Sequence, residues 1–156
     1  MSNLTDISDV IIIGSGPAGL SAAIYVVRAG LSVNVIEKEF MGTGQIADSS
    51  KVDNYLGIPA ISGYDLGESF REHALSLGVT IEDNNVTRLT PVDDIWELEL
   101  SDGSTKKARC VIYAAGCSHK KLQAENEEQY TGKGISYCAV CDGAFYKDKD
   151  VAVVGG

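Results

Sequence analysis

The stretch Asp9-Val10-Ile11-Ile12-Ile13-Gly14-Ser15-Gly16-Pro17-Ala18-Gly19 decides the fold class. Val10 to Ile13 are all β-branched, with no polar alternation, which is the pattern of a strand buried on both faces and hence of a parallel sheet. Three glycines follow at the spacing Gly-x-Gly-x-x-Gly. The first permits a tight turn. The second lets the backbone approach a pyrophosphate, and the third lets the next helix pack close on the sheet. Leu20 to Arg28 reads as that helix, with Pro17 suited to its first turn and Gly30 to its stop. Leu31 to Glu37 reads as the second strand, so one βαβ unit is complete in about 30 residues. The helix start offers unpaired N–H groups and a partial positive charge to a phosphate. Glu37 ends the second strand, where a carboxylate can accept both ribose hydroxyls and disfavours a 2′-phosphate. The dinucleotide at this place is therefore FAD or NAD(H), not NADP(H).

Further along, residues 40 to 61 have no sustained period and read as an irregular excursion over the carboxyl edge of the sheet. Asp65 to Leu77 carries a helical stripe ended by Gly78, and Val79 to Ile81 reads as another strand. Val86 to Leu89 opens a meander. Trp96 to Leu100 alternates strictly, and Asp102-Gly103 is a hairpin turn. Lys107 to Cys110 returns, and Val111 to Ala115 reads as a separate buried strand ending at Gly116. Polar Cys117 to Lys121 marks a boundary. It gives a first segment at 1–116, a hinge at 117–121 and the start of a second domain at 122–156. Val151 to Gly156 echoes residues 10 to 16, an apolar strand running into glycines. The expectation is a chain cut inside its second nucleotide-binding domain.

The chain has 156 residues, enough for about one domain. Its formal charge of −9 makes it a poor binder of nucleic acid or anionic membranes, because it cannot neutralise phosphates. No apolar run approaches the roughly 20 residues a membrane span needs. Met1 to Asp9 has no basic segment, so a secretory leader is not expected. Four cysteines without a leader fit a reducing cytoplasm rather than a disulfide scaffold. There, a close cysteine pair means redox chemistry or metal.

That pair is Cys138-Ala139-Val140-Cys141, followed by Asp142-Gly143. Thiols at this spacing have depressed pKa values and close a small disulfide ring. A carboxyl group beside the inner sulfur can donate or accept the proton that exchange requires. The competing reading is a non-catalytic dinucleotide-binding module in which Cys117, His119, Cys138 and Cys141 hold zinc. Cys110 reads as a core cysteine and Cys117 as a buried bystander with no assigned role. His73 and His119 show no partner.

Together these motifs resemble the low-molecular-weight thioredoxin reductases. The resemblance covers the whole chain. It is carried by Gly14 to Gly19, Gly44-Gln45, Val52-Asp53-Asn54-Tyr55, Ala114-Ala115-Gly116, Cys138 to Gly143 and Val151 to Gly156. It implies a Rossmann-like α/β FAD-binding domain of three layers, with a parallel sheet plus β-meander, followed by the start of a second dinucleotide-binding domain. It implies FAD held by Gly14, Ser15, Gly16, Pro17 and Ala18 at the pyrophosphate and Glu37 at the ribose. Gly44, Gln45 and Ile46 would run beside the ribityl and flavin, Asn54 would meet the isoalloxazine, Val86 the adenine, and Ala115-Gly116 would close over the cofactor. Cys141 would face the flavin, Cys138 would attack a thioredoxin-like protein, and Asp142 would be the acid. NADPH or ferredoxin would supply electrons, and the complete enzyme would be a homodimer. This segment alone is not expected to turn over. Thr43 and Ala115 depart from the usual residues of the family, both by small side chains.

Overall fold

The computed structural model describes residues 7–39 and 42–155, with Cys141 described through its backbone alone. Phe40 and Met41, in the expected irregular excursion, lie outside it. The chain divides into two compact units, residues 1–116 and 117–156.

In the first unit the β-branched run forms β1 (Ile7–Ile13), followed by α1 (Pro17–Arg28) and β2 (Val33–Glu37). A 3-10 turn (Gln45–Asp48) precedes α2 (Gly63–Ser76). Ser62 caps α2: its hydroxyl oxygen accepts the Asp65 N–H (3.1 Å). Then come β3 (Thr80–Asp83), β4 (Val86–Val92), β5 (Ile95–Leu100) and β6 (Thr105–Tyr113). They form one six-stranded sheet in the order β3-β2-β1-β6-β5-β4. Strands β3, β2, β1 and β6 run parallel, while β4, β5 and β6 form an antiparallel meander. This is an α/β Rossmann-like fold, as the opening strand and loop predict.

Strand β1 is apolar on both faces because it feeds two cores. Val10 and Ile12 pack with Leu20 and Ala23 of α1 and Ala74 of α2. Ile11 packs the other way, with Ile36 and with Leu98, Leu100 and Ala108 of the meander. The register Ile13↔Ile36 and Ile13↔Tyr113 brings the carboxyl ends of β2, β1 and β6 to one edge. There the strand order reverses, which is where open α/β sheets bind ligands.

Two expectations are corrected. Residues 107–110 and 111–115 are not separate strands. β6 is one continuous strand because β1 pairs along it from Lys107 to Tyr113, while β5 pairs on its other side from Thr105 to Ala108. Residues 151–155 form no strand: Val151, Val153 and Val154 are exposed and find no ladder to join. An apolar β-branched run does not hold a strand alone, because its backbone groups need a neighbour.

In the second unit, α3 (Glu127–Tyr130) and α4 (Ala139–Asp142) are single turns, and a 3-10 turn (Gly143–Tyr146) follows. Among the described residues, no helix is long and apolar enough to cross a membrane.

Candidate functional site

The glycine loop leaves β1 at the sheet edge. Gly14 adopts φ +101°, and its N–H donates to the Ile36 carbonyl (2.8 Å). A Cβ at Gly14 would stand 2.4 Å from the Ala114 carbonyl oxygen, and one at Gly19 would stand 1.9 Å from the Gly14 carbonyl oxygen. The protein's own packing demands these two glycines. Gly16 is different. Its φ of −65° suits any residue, and a Cβ there would meet nothing closer than 3.9 Å. Gly16 is also the N-cap of α1, with no side chain bonded over the helix start. The uncovered room lies where the first-turn N–H groups point, which is the place a phosphate occupies in such loops. On this observation the residues fit a dinucleotide.

Glu37 is buried beside the loop. Its Oε2 accepts the Ser15 N–H (2.7 Å) and the Ser15 hydroxyl (2.9 Å), and its Oε1 accepts the Glu39 N–H (3.0 Å). Burial pushes the carboxyl upward. The hydrogen bonds from the Ser15 N–H, the Glu39 N–H, the Ser15 hydroxyl and the Lys38 N–H outweigh it and leave Glu37 below its ordinary value. The group is an anion that braces the loop, an arrangement the sequence pattern did not reveal. Ser15, fully buried, also lies against the Gly42 carbonyl. Ser15 fills both acceptor sites of Oε2, and Oε1, which accepts from Glu39, is the oxygen left for a further donor such as a ribose hydroxyl.

The next segment closes on the loop. Gly44 takes φ +79°, and a Cβ there would come 3.3 Å from the Gly16 Cα. Gln45 and Ile46 open the 3-10 turn behind it. Thr43 is buried, and its side chain fills the space over Gly67, where a Cβ would stand 2.4 Å from the Thr43 Oγ1. Threonine here is thus matched by a glycine on α2, a pairing that sequence reasoning missed; the Gly67 in an otherwise regular helix is the signal. Ala115 lies against Gly14, and Gly116 has φ +68° with open space around it. Pro17 and Ala18 are the exposed first residues of α1. Val86 lines a cavity of about 200 Å³ with Ile13 and Tyr113 at the same strand ends. The structure thus gathers Gly14 to Ala18, Glu37, Gly44 and Ala115. Asn54 stands on an exposed loop. Its neighbour Tyr55 lines a cavity of about 440 Å³ with Pro17, Leu20 and Phe70.

In the second unit, the sulfur of Cys138 is engaged in a disulfide. Cys138 is the residue before α4, and its carbonyl accepts the Asp142 N–H (3.0 Å). Ser136 Oγ accepts the Cys138 N–H (3.1 Å) and donates to Asp142 Oδ2 (2.7 Å). A second set of bonds lies behind this turn. Glu127 is buried and accepts the Tyr137 hydroxyl and the N–H groups of Leu122 and Gln123. The Tyr137 hydroxyl is the largest cause holding Glu127 below its ordinary value, and Glu127 in turn holds the Tyr137 phenol above its own. His119 stacks on Tyr137 with ring centroids 5.6 Å apart, so it has a partner that spacing alone did not show. Cys110 and Cys117 are exposed rather than buried. Cys110 lies on β6 at an outward position, and Cys117 follows the sheet's last strand. Among the described residues, no group of three or more His, Cys, Asp or Glu is placed to hold a metal.

The family model described as pyridine nucleotide-disulphide oxidoreductase matches residues 8–156. A thioredoxin reductase of Bacillus subtilis is 45% identical over 152 residues, covering 96% of this chain and 47% of its own length. The solved thioredoxin reductase of Streptococcus pyogenes superposes with a TM-score of 0.80 at 38% identity, covering 92% of this chain and 46% of that one. A ferredoxin-flavin thioredoxin reductase of Clostridium acetobutylicum superposes with a TM-score of 0.69 at 35% identity, covering 91% and 48%. The chain spans about half the length of the curated relatives it matches.

Proposed function

The chain belongs to the pyridine nucleotide-disulphide oxidoreductase family, and from that premise we propose that it carries the FAD site and the reactive cysteine pair of a thioredoxin reductase-type enzyme. The observation that carries the FAD half is Gly16, bare at a helix start where no protein atom requires it. Gly14 to Ala18 would hold the pyrophosphate with backbone N–H groups. Glu37 would accept from the ribose while keeping Ser15 in place, and Val86 would border the adenine. Gly44, Gln45 and Ile46 would flank the ribityl chain, Asn54 would meet the ring system, and Ala115-Gly116 would cover it. When bound, the flavin supplies a two-electron reductant for a disulfide.

The chain's own chemistry is in the cysteine turn. A disulfide at Cys138 is the form that accepts electrons, and the two thiols it yields are the form that gives them onward. Cys138 would attack the disulfide of a thioredoxin-like protein, and Cys141 would be the sulfur reduced at the flavin. Asp142, one residue beyond, would hold and release the proton each exchange moves. NADPH or a reduced ferredoxin would refill the flavin. The complete protein would work as a homodimer in a reducing cytoplasm, where thiol donors of this kind persist.

Rapid-reaction measurements on the full-length flavoprotein test this. Cys141→Ser is expected to abolish electron transfer from flavin to the pair. Cys138→Ser is expected to leave flavin reduction intact and to block delivery to thioredoxin. Equal behaviour of the two variants, or a full-length protein without flavin absorption, would overturn the reading.

A further inference from the structure

One hydroxyl organises the turn around Cys138. Ser136 Oγ accepts the Cys138 N–H (3.1 Å) and lies 2.7 Å from Asp142 Oδ2 and 3.3 Å from the Cys138 carbonyl oxygen. A serine has a single hydroxyl hydrogen, and the shorter contact to a charged acceptor takes it. Ser136 therefore ties the first residue of the turn to the carboxylate that ends it. The Asp142 N–H closes the same turn on the Cys138 carbonyl (3.0 Å). A carboxylate hung on the broad side-chain torsion of aspartate otherwise presents either oxygen. The bond from Ser136 to Oδ2 fixes which way the carboxylate faces.

We propose that Ser136 is a positioning residue that aims the Asp142 carboxyl group for proton transfer in thiol–disulfide exchange. This rests on the reading above that Asp142 carries that proton. In the exchange, the Cys138 thiolate attacks one sulfur of the substrate disulfide. The substrate S–S bond breaks, and the leaving thiolate takes up a proton. The Cys141 thiolate then attacks the Cys138 sulfur, forming the internal disulfide and expelling the second substrate thiolate, which takes up the second proton. Two electrons pass from the dithiol to the substrate disulfide, and the two protons lost by the cysteine thiols are the two gained by the products. Asp142 takes a proton from the attacking thiol and returns it to the departing one, and its usefulness depends on facing them.

The probe is oxidised glutathione, whose leaving thiols need a proton. It is added to the pre-reduced full-length protein in which Cys110, Cys117 and any other cysteine outside the pair are serine, so that only the pair reacts. Release of the second glutathione thiol is followed by acid quench and mass spectrometry. Ser136→Ala is expected to slow this release by roughly three- to tenfold. Ser136→Thr, which keeps the hydroxyl, restores most of the rate. In an Asp142→Asn background, Ser136→Ala adds nothing further. If Asp142→Asn itself has no effect, the proton role falls, and this proposal falls with it. If Asp142→Asn slows release while Ser136→Ala does not, or if the two losses multiply, the Ser136 assignment alone is overturned. Should the alanine variant not fold, a threonine variant as slow as Asp142→Asn overturns the assignment equally.

Discussion

The glycine loop and the cysteine turn are built from opposite materials. In the first, the decisive feature is the absence of side chains: Gly14, Gly19 and Gly44 let backbone approach backbone where a methyl group would collide or crowd, and Gly16 leaves a gap. The surrounding unit is fixed by two apolar cores that meet on β1. In the second, the decisive features are polar side chains, Ser136 with Asp142 and Glu127 with Tyr137, on turns of four residues with no hydrophobic cluster beneath them among the described residues. Close packing is steep and short-ranged, so the first region holds one geometry rigidly. Hydrogen bonds exchanging with water contribute about 1 kcal/mol each, so the second region is held in place at much smaller local cost of opening. A phosphate cradle needs the former. A dithiol that, under the proposed function, would meet two different redox partners is served by the latter.

The sharpest way to break this contrast is to add the same methyl group at two glycines. Gly19→Ala places a Cβ 1.9 Å from the Gly14 carbonyl oxygen, an obstacle that neither backbone can yield to without parting α1 from β1. A loss of more than about 3 kcal/mol is expected, read as a collapse of the urea midpoint or as failure to fold. Gly16→Ala meets nothing within 3.9 Å and has an ordinary φ. Its stability is expected to stay within about 1 kcal/mol of the parent, with a slight gain from a stiffer unfolded chain. Fluorescence titration with FAD should nevertheless show weaker binding of Gly16→Ala. If both variants are equally unstable, or if Gly16→Ala binds FAD as tightly as the parent, the distinction between a packing glycine and a ligand glycine is wrong.

The same contrast explains what could be read without the fold. The loop is legible because glycine is the one residue whose presence reports a geometric need, and the flanking strand and helix have opposite periods. The alternation of Trp96 to Leu100 is legible for a similar reason, since one face of β5 meets the core and the other meets water. β6 misleads because its two edges are covered over different lengths, by β1 from Lys107 to Tyr113 and by β5 only from Thr105 to Ala108, so one strand reads as two. Thr43 over Gly67, Ser15 on Glu37 and His119 on Tyr137 are invisible to spacing, because each joins elements through tertiary approach rather than through period. Polar turns carry least of all: Ser136 looks like any exposed serine until the chain curls to bring Asp142 within reach.

A middle-sized effect probes the one place where the rigid region relies on charge. Glu37 sits below its ordinary value of 4.5 in the folded protein because the hydrogen bonds it accepts outweigh its burial. A carboxyl group depressed by folding adds stability that is fully present above that ordinary value and is lost as the pH falls through the lowered one. Glu37→Gln replaces one acceptor oxygen with an NH2 group, so either the Ser15 or the Glu39 N–H faces a donor. The expected loss at neutral pH is about 1–2 kcal/mol. In acid below the folded value the parent has already lost the same contribution, so the two thermal midpoints should converge. A gap that persists unchanged into acid would mean that Glu37 acts by shape and not by charge.

The smallest effect is expected in the second region, from a single oxygen atom. Tyr137→Phe removes the hydroxyl that donates to Glu127 and accepts the Leu122 N–H. Glu127 then loses the largest cause of its depression, although the Gln123 and Leu122 N–H groups still reach it. Its titration, followed by NMR, should move up towards the ordinary glutamate value. The acid range over which this network weakens, which lies below that value in the parent, should begin at higher pH in the variant. Because no apolar core depends on the bond, the global melting midpoint should move by less than about 2 °C. The opening should instead be local, seen as faster amide exchange at Leu122 and Gln123 with exchange at Ile11 and Ile12 unchanged. If exchange at β1 rises with it, the cysteine turn is not held by a hydrogen-bond network of its own, and the division of labour between the two regions does not hold.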